Sequence, residues 1–123
     1  MTWIYVQKIG ALSRDGNPVG TGYSGNTAGL NNPDMQDKIG IGPIPRGRYT
    51  IGPPHQPVGH LGPDALPLYP EDSAQMFGRC GFFIHGDNTD MNHTASDGCI
   101  ILGPSIRKAI ADSGDIVLVV VES

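Results

Sequence analysis

The most informative residues of this chain are a histidine and a cysteine, His85 and Cys99, which are fourteen positions apart. Cys99 ends the polar run S-D-G-C and is followed by the apolar run I-I-L. A thiolate attacks carbonyl carbon well, and it forms readily beside an imidazole that can hold its proton. A glycine directly before the thiol lets backbone N–H groups turn towards the reacting carbonyl. This pattern predicts a cysteine enzyme that performs acyl transfer.

The histidine has to be held by a strand, and residues 80–85, C-G-F-F-I-H, have the composition of one. With a period of two, Phe83 and His85 share one face of that strand, whereas Cys80 and Ile84 share the other. Cys80 would then lie about 16 Å from His85 along the strand, at ~3.3 Å per residue, and face the opposite way. We therefore predict that Cys99 is the reactive thiol, that Cys80 is buried and inert, and that the two form no disulfide.

The rest of the chain predicts a mainly β fold, a sandwich or barrel with one short C-terminal helix. Its 18 glycines and 11 prolines separate short apolar runs, as expected for many short strands and tight turns. Proline near the start, apolar residues at helical spacing and a glycine after the end predict the helix at residues 104–113. The predicted strands are residues 3–9, 19–23, 48–51, 80–85, 99–102 and 116–121, the last of them central.

Several connections are also predicted. A turn at residues 15–18 joins the first two strands into a hairpin. Residues 52–70 are dense in proline and glycine, so we expect an irregular segment that Leu61, Leu66 and Leu68 anchor to the body. Residues 71–77 are expected to hold one helical turn.

Composition and charge exclude several classes of protein. The 123 residues are expected to form a single domain, residues 1–123, and the formal net charge of −4 comes without a basic stripe. We therefore expect no nucleic-acid partner. No segment approaches the ~18 apolar residues of a membrane span, so no membrane partner is expected. The N-terminus lacks basic residues before Lys8 and a long apolar core, so we expect synthesis in the cytoplasm without a signal peptide.

The pattern H-G followed by S-D-G-C-I resembles the signature of L,D-transpeptidase catalytic domains. Further motifs extend the likeness over nearly the whole chain: Y-S-G at 23–25, N-N-P at 31–33, G-P-I-P-R-G-R-Y at 42–49, G-R-C-G-F-F-I-H-G at 78–86 and A-S-D-G-C-I-I-L at 95–102. Together they resemble the L,D-transpeptidase-like effector domain exported by type VI secretion systems. Two features depart from the wider family: Asp97 stands where cell-wall transpeptidases usually carry histidine, and the loop from histidine to cysteine is shorter.

The resemblance implies an enzyme without cofactors that acts on the tetrapeptide stem of peptidoglycan, in the periplasm of a target bacterium, as an antibacterial toxin. Cys99 would attack the carbonyl of the third residue, a diamino acid, and expel D-alanine, with His85 as the base. Water, a D-amino acid or a second stem would then take the acyl group. Gly98 and Cys99 N–H groups would form the oxyanion hole, and Ser96 is a candidate to orient His85. Implied partners besides the stem are a periplasmic immunity protein and a component of the secretion system.

Other side chains are candidates for binding the substrate. Arg79 and Arg107 could bind its carboxylates through bidentate contacts, the alternative being surface ion pairs. Asp97 could be a solvated turn residue, an anchor for its loop or a partner for the substrate ammonium, and its carboxylate must point away from the thiol or be paired for catalysis. Tyr23 and Ser24 are candidates to line the cleft.

Two other functions stay open at this point. His85, Asp87, Asp90 and His93 offer two imidazoles and two carboxylates within nine residues, which would suit a metal-dependent amidase or peptidase acting on cell wall. Their spacing fits no zinc signature, and a metal site would leave the S-D-G-C turn unexplained. A non-catalytic cell-wall-binding or phage module on the same fold is the other alternative. It would be marked by the loss of the histidine or the cysteine, and both are present.

Overall fold

The computed structural model describes residues 1–54, 65–87, 96 and 98–123. Within these residues, nine strands and one α-helix are found. The strands are β1 (Thr2–Val6), β2 (Ala11–Arg14), β3 (Asn17–Thr21), β4 (Tyr23–Ser24), β5 (Gly47–Ile51), β6 (Leu66–Pro70), β7 (Phe82–His85), β8 (Ile100–Ile101) and β9 (Val117–Val121), and the helix is α1 (Pro104–Ser113).

The nine strands form a single sheet in the order β3-β2-β1-β9-β5-β6-β7-β8-β4. The sheet is nearly closed and barrel-like, which confirms the mainly β class. Two neighbouring pairs run parallel, β1 with β9 and β7 with β8, and the other pairs are antiparallel. The N-terminal and C-terminal strands therefore lie side by side in the body of the sheet, and β9 is an interior strand as predicted.

One face of the sheet makes the core, to which every strand except β3 and β4 contributes. On β1 the core residues are Trp3 and Tyr5, and β9 adds Leu118 and Val120. Because side chains alternate across a strand, the residues between them point to the other face. Each large apolar side chain buried in this way stabilises the fold by roughly 1.5–3 kcal/mol.

Helix α1 has the predicted bounds. Pro104 stands at its first turn, where a missing N–H costs nothing, and Gly114 follows its end in the left-handed conformation at φ 75°. Ile110 is buried in the core and Ile106 packs against it. No helix among the described residues is both long and apolar enough to cross a membrane.

The opening hairpin differs from the prediction. The first strand ends at Val6 because the chain turns back there, with the Gly10 N–H donating to the Val6 carbonyl at 2.8 Å. Gly10 has φ +69°, and a Cβ at this position would lie 2.0 Å from the carbonyl oxygen of Gly22. The extra strand β2 then pairs with both β1 and β3. The predicted second strand, residues 19–23, is divided into β3 and β4 around Gly22.

The expectation of an irregular segment is wrong for its last part, where β6 pairs with both β5 and β7. Leu66 and Leu68 are buried in the core with the period of a strand. Pro67, between them, has no N–H to donate to a neighbouring strand. Its carbonyl still accepts from the Gly52 N–H at 2.8 Å, so the strand remains paired. Leu61 lies outside the described residues. The helical turn expected at 71–77 is present as a 3₁₀ helix, Ser73–Gln75.

Candidate active site

Strand pairing brings the residue that precedes β8, Cys99, close to the strand that ends in His85. In the parallel pair of β7 and β8, Ile84 lies opposite Ile100 and His85 lies opposite Ile101. Ile84 and Ile100 belong to the core, so His85 and Ile101 occupy the other face. Cys99 stands directly before β8, and extending the same alternation by one residue assigns it to that face. The Cα atoms of His85 and Cys99 are then about 8 Å apart on the diagonal, from ~4.8 Å between strands and ~3.3 Å per residue.

The imidazole of His85 is oriented by its own strand end. Its side chain is only 2 % exposed, and Nδ1 lies 2.9 Å from the Gly86 carbonyl oxygen. A carbonyl can only accept, so this contact selects the tautomer with the proton on Nδ1 and makes Nε2 the basic nitrogen. The backbone there is fixed as well, because the Leu102 N–H donates to the His85 carbonyl at 3.1 Å.

The turn that carries Cys99 is held together by the fully buried hydroxyl of Ser96. This hydroxyl donates to the Cys99 carbonyl at 2.6 Å. It accepts from the N–H of Gly98 at 3.1 Å and from the N–H of Gly25 at 2.9 Å. The partners of this hydroxyl all belong to the turn of Gly98 and Cys99 or to Gly25, which directly follows β4. Among the described contacts, Ser96 therefore positions Cys99, whereas the contact that orients His85 comes from the Gly86 carbonyl.

Gly98 meets two requirements of this turn. Its φ of +128° lies where side chains are rarely tolerated, and a Cβ would lie 2.2 Å from Nη2 of Arg79. Its N–H is donated to Ser96. Of the two N–H groups that the sequence suggested for the oxyanion hole, the one on Gly98 therefore already has an acceptor in this structure.

Arg79 lies against the same turn and is 7 % exposed, so it is not a surface ion pair. Its Nη1 donates to the carbonyls of Gln36 at 2.6 Å and Pro43 at 2.7 Å, and Nη2 donates to the carbonyl of Gly42 at 3.0 Å. The guanidinium also lies 5.8 Å from the ring of Phe82. These contacts tie the loop of residues 36–43 to the turn that carries Cys99.

The charge of Arg79 also acts on the thiol. Burial lowers the pKa of the guanidinium, and the negative charges of Tyr49, Cys99 and Asp37 in their ionised forms oppose that effect. Electrostatic interactions are mutual, so a cation that is stabilised by the Cys99 thiolate stabilises that thiolate in return. The thiol itself is half-buried, and its Sγ lies 3.8 Å from the Gly81 carbonyl oxygen.

Tyr23 and Ser24, predicted to line a cleft, lie on the two faces of β4. Tyr23 pairs with Ile101 and is on the face of His85, and its hydroxyl donates to Asp87 Oδ1 at 2.6 Å. Ser24 is fully buried; its hydroxyl accepts from the Ile44 N–H at 2.8 Å and donates to the Gly98 carbonyl at 3.4 Å. Tyr23 thus lies on the side of His85, whereas Ser24 contacts the turn that carries Cys99 from the core side.

Both cysteines are free thiols, but the prediction that Cys80 is buried is wrong, because its side chain is exposed. Gly81 has φ +76°, so the chain bends there and the strand begins only at Phe82. The alternation that assigned Cys80 to the core face does not reach it. The assignment of His85 is unaffected, since it rests on residues 82–85 alone.

Three predicted site residues, Asp90, His93 and Asp97, lie outside the described residues. Of the alternative metal set, His85 and Asp87 are therefore the only members whose contacts are known. Among the residues described, no group of three or more His, Cys, Asp or Glu side chains is placed to hold a metal ion.

Two features of the site were not found from the sequence. The carbonyl ligands of Arg79 carry no side-chain signal, because main-chain oxygens belong to every residue. The bond from Tyr23 to Asp87 joins residues 64 positions apart. The only available hint was that Asp87 directly follows the H-G pair, which places it at the end of the histidine strand.

A nearly closed β-sheet in which a histidine strand runs beside a strand preceded by S-x-G-C defines an L,D-transpeptidase-like domain. Residues 19–116 match the family model described as the Tlde1 domain. The chain therefore belongs to the Tlde1 domain family, the L,D-transpeptidase effector domains of type VI secretion, which confirms the resemblance. A search of curated proteins found no match. Membership indicates an enzymatic effector that acts on peptidoglycan and is secreted to a target cell.

Proposed function

We propose that this domain is a cysteine L,D-carboxypeptidase and L,D-transpeptidase that removes or exchanges the terminal D-alanine of peptidoglycan tetrapeptide stems. Cys99 is the nucleophile and His85 is the general base. The observation that carries the proposal is the parallel pairing of the strand that ends in His85 with the strand that directly follows Cys99, whose carbonyl is bonded to Ser96, in a chain of the Tlde1 domain family.

The first half of the reaction forms a thioester. Nε2 of His85 takes the thiol proton, and the thiolate sulfur bonds to the carbonyl carbon of the third stem residue. The bond between that carbon and the nitrogen of D-alanine breaks. The imidazolium then returns the proton to the leaving amine, so that the imidazole is neutral again and D-alanine departs.

The second half depends on which nucleophile reaches the thioester. Water gives a tripeptide, a D-amino acid gives an exchanged tetrapeptide, and the amine of a second stem gives a cross-link. In each case His85 takes a proton from the incoming group, and the thiolate leaves and is reprotonated.

The negative charge that develops on the carbonyl oxygen needs a donor. We assign this role to the N–H of Cys99, because the N–H of Gly98 is donated to Ser96. Arg79 assists as a positioning residue, since its guanidinium orders the loop of residues 36–43 behind the turn and adds positive charge near the sulfur.

The chemistry can be tested with purified protein and tetrapeptide muropeptides, with and without EDTA and a D-amino acid, by mass spectrometry of the products. We expect tripeptide and exchanged tetrapeptide, no effect of EDTA, and loss of both products in Cys99→Ala and His85→Ala. Cys80→Ser is the matched control, because it removes the other thiol, which is exposed, and should leave both products. Inhibition by EDTA would favour the metal-dependent alternative, and activity retained in Cys99→Ala would exclude the thioester.

The effector role has its own test, which is expression of the domain in a bacterium with and without a periplasmic export signal. We expect growth arrest only for the exported protein, and none for exported Cys99→Ala. Equal growth in all cultures would contradict a toxin and would favour a non-catalytic cell-wall-binding or phage module. A periplasmic immunity protein that binds the domain should restore growth when both proteins are exported together.

A further inference from the structure

The second thiol of the chain, that of Cys80, has no part in the proposed reaction, yet it lies close to Cys99. The Sγ atom of Cys99 is 3.8 Å from the carbonyl oxygen of Gly81, the residue that directly follows Cys80. That oxygen and the Cα atom of Cys80 are separated by one peptide group, a distance of about 5 Å from standard bond lengths. The Cα atom of Cys80 is therefore within about 9 Å of the Cys99 sulfur.

Cys80 is accessible, whereas the residue before it is anchored. The side chain of Cys80 is exposed, so small molecules in solution reach its sulfur. Arg79 is only 7 % exposed, and its guanidinium donates to the carbonyls of Pro43 and Gly42 at 2.7 and 3.0 Å. These bonds hold the chain directly before Cys80 and keep its thiol near the turn that carries Cys99.

The bend at Gly81 gives Cys80 room to approach Cys99. The two cysteines are not joined in this structure, and a disulfide requires Cα atoms about 4.4–6.8 Å apart, so the chain has to adjust before the sulfurs can bond. Gly81 has φ +76°, and a Cβ built on it would have no atom within 4 Å, so there is open space beside the bend. Glycine is compatible with either sign of φ, and rotation about this residue changes the position of Cys80 relative to β7.

An oxidant should react first at Cys99. Peroxides oxidise the thiolate rather than the thiol. The guanidinium of Arg79 stabilises the Cys99 thiolate and so raises the share of Cys99 in that form. The sulfenic acid formed there condenses with a neighbouring thiol, and Cys80 is the other cysteine of the chain.

We propose that Cys80 is a modification site, the thiol that resolves oxidised Cys99, so that a peroxide joins the two residues in a disulfide and a thiol reductant separates them. In the first step the Cys99 thiolate bonds to one oxygen of hydrogen peroxide, the O–O bond breaks, and a sulfenic acid and hydroxide form. In the second, the Cys80 thiolate bonds to that sulfur, the S–O bond breaks, and the oxygen leaves as hydroxide. The protons of the two thiols convert both hydroxides to water, and the peroxide accepts the two electrons.

The disulfide has two consequences for a domain that is secreted to a target cell. It takes up the sulfur that we propose as the nucleophile, so the oxidised enzyme is inactive; this part of the inference rests on the proposed function, whereas the disulfide itself does not. It also stops the oxidation of Cys99 at a level that thiols reverse, before sulfinic and sulfonic acids form. An enzyme that leaves the reducing cytoplasm is therefore protected at its most reactive atom.

Mass spectrometry tests the disulfide without any substrate. Both cysteines lie in one tryptic peptide, residues 80–107, because trypsin cleaves after lysine and arginine and the residues between Arg79 and Arg107 include neither. Folded wild-type protein is treated with hydrogen peroxide, alkylated with iodoacetamide and digested. We expect a peptide that lacks two hydrogen atoms and carries no alkyl group. When dithiothreitol precedes the alkylation, the same peptide should carry an alkyl group on each cysteine.

Two variants serve as controls for the role of each thiol. Cys99→Ser keeps the exposed thiol, and its Cys80 should remain open to alkylation after peroxide because no sulfenic acid forms beside it. Cys80→Ser should have wild-type activity before oxidation and should accumulate sulfinic and sulfonic acid at Cys99 after it. When dithiothreitol follows an excess of peroxide, the wild-type protein should recover about tenfold more activity on muropeptides than Cys80→Ser, because only its oxidation is reversible.

Three results of the peptide analysis would overturn the proposal. They are alkylation of both wild-type thiols after peroxide, sulfinic acid at Cys99 beside an alkylated Cys80, and a disulfide between the Cys80 residues of two molecules, recognised by a peptide of doubled mass. If the disulfide forms within the peptide but the wild-type protein cleaves no muropeptide, the proposed reaction fails and the modification site stands. If muropeptides are cleaved but dithiothreitol restores wild type and Cys80→Ser equally, the reaction stands and this inference fails.

Discussion

Replacing Ser96 with alanine should damage both the stability and the activity of the domain, because its hydroxyl makes three hydrogen bonds that hold the turn carrying Cys99. It accepts from two buried N–H groups, those of Gly25 and Gly98, and donates to the Cys99 carbonyl. In Ser96→Ala both donors lose their acceptor in a place from which water is excluded, since Ser96 is 0 % exposed. The carbonyl that fixes the cysteine loses its donor at the same time.

The magnitude follows from the number of groups left without a partner. A buried donor that loses its acceptor costs about 1–3 kcal/mol, so two cost about 2–6 kcal/mol. This is a large part of the ~5–15 kcal/mol by which domains are stable. At roughly 4 °C per kcal/mol for a chain of this size, Tm should fall by at least about 8 °C. A misplaced nucleophile should also lower kcat/KM about 100-fold.

The assay combines urea unfolding with kcat/KM for release of D-alanine, measured where the variant is still folded. Ser24→Ala is the matched comparison, because Ser24 is equally buried and contacts the same turn, but only through a 3.4 Å bond to the Gly98 carbonyl. It leaves one buried donor, the Ile44 N–H, without its acceptor. We expect about half the loss of stability and less than a tenfold loss of kcat/KM.

Two results would refute this role of Ser96. One is a loss in Ser96→Ala no greater than in Ser24→Ala on both measures. The other is unchanged stability together with a displaced pH profile of kcat, which would mean that Ser96 acts on the ionisation of His85, the role that the family resemblance suggested.

Three further predictions concern residues around and beneath the site. Gly98→Ala should abolish activity and lower the free energy of unfolding by several kcal/mol, because φ is +128° at this position and the new Cβ would meet the Arg79 guanidinium, which three carbonyls hold in place. Urea unfolding measures the loss, and wild-type stability would contradict this geometry. Arg79→Gln should move the midpoint of Cys99 alkylation by iodoacetamide to higher pH, and Arg79→Lys should keep most of the wild-type value; coincident profiles would exclude the electrostatic role. Burial raises the pKa of Tyr5 and Tyr49 in the folded state. As the pH rises, the phenols therefore lose their protons first in the unfolded chain. Their contribution to the free energy of unfolding is complete below about pH 10, and above that pH it should fall by up to about 1.4 kcal/mol per pH unit for each phenol. Unfolding measured at pH 9, 10 and 11 gives this slope, and the Tyr→Phe variants should reduce it.

The elements that could be predicted from the sequence are those fixed by nearby residues. Helix α1 has its predicted bounds because Pro104 and Gly114 mark the ends through their own backbone preferences. Strand β6 was missed because its prolines argue against a strand, while the pairing that tolerates Pro67 is made with β5 and β7, which are distant in sequence. Local preference decides the first case and tertiary pairing the second.

The same distinction applies to the site. The sequence assigned His85 to the face opposite Ile84 through strand alternation, which can be counted along a chain, and the structure agrees, since Ile84 is in the core and His85 is not part of it. The exposure of Cys80 could not be predicted by counting along the strand, because it depends on the positive φ of Gly81, and glycine is compatible with either sign of φ. The partners of Arg79 were out of reach for another reason: they are carbonyls of a loop some forty residues earlier, where no side chain identifies them.

The spacing of histidine and cysteine is itself explained by the sheet. Strands β7 and β8 are parallel, and a chain can join two parallel strands only by a crossover of a dozen or more residues. The fourteen positions from His85 to Cys99 supply that length. The length of the crossover can vary, but the register of β8 is fixed, because a slip of one residue would move Ile100 out of the core and displace Cys99 relative to His85. Burial of Ile100 and Leu102 therefore fixes the register of β8 and with it the position of Cys99, the residue directly before that strand. In this domain the packing of one face of a two-residue strand therefore sets the position of the cysteine that we propose as the nucleophile.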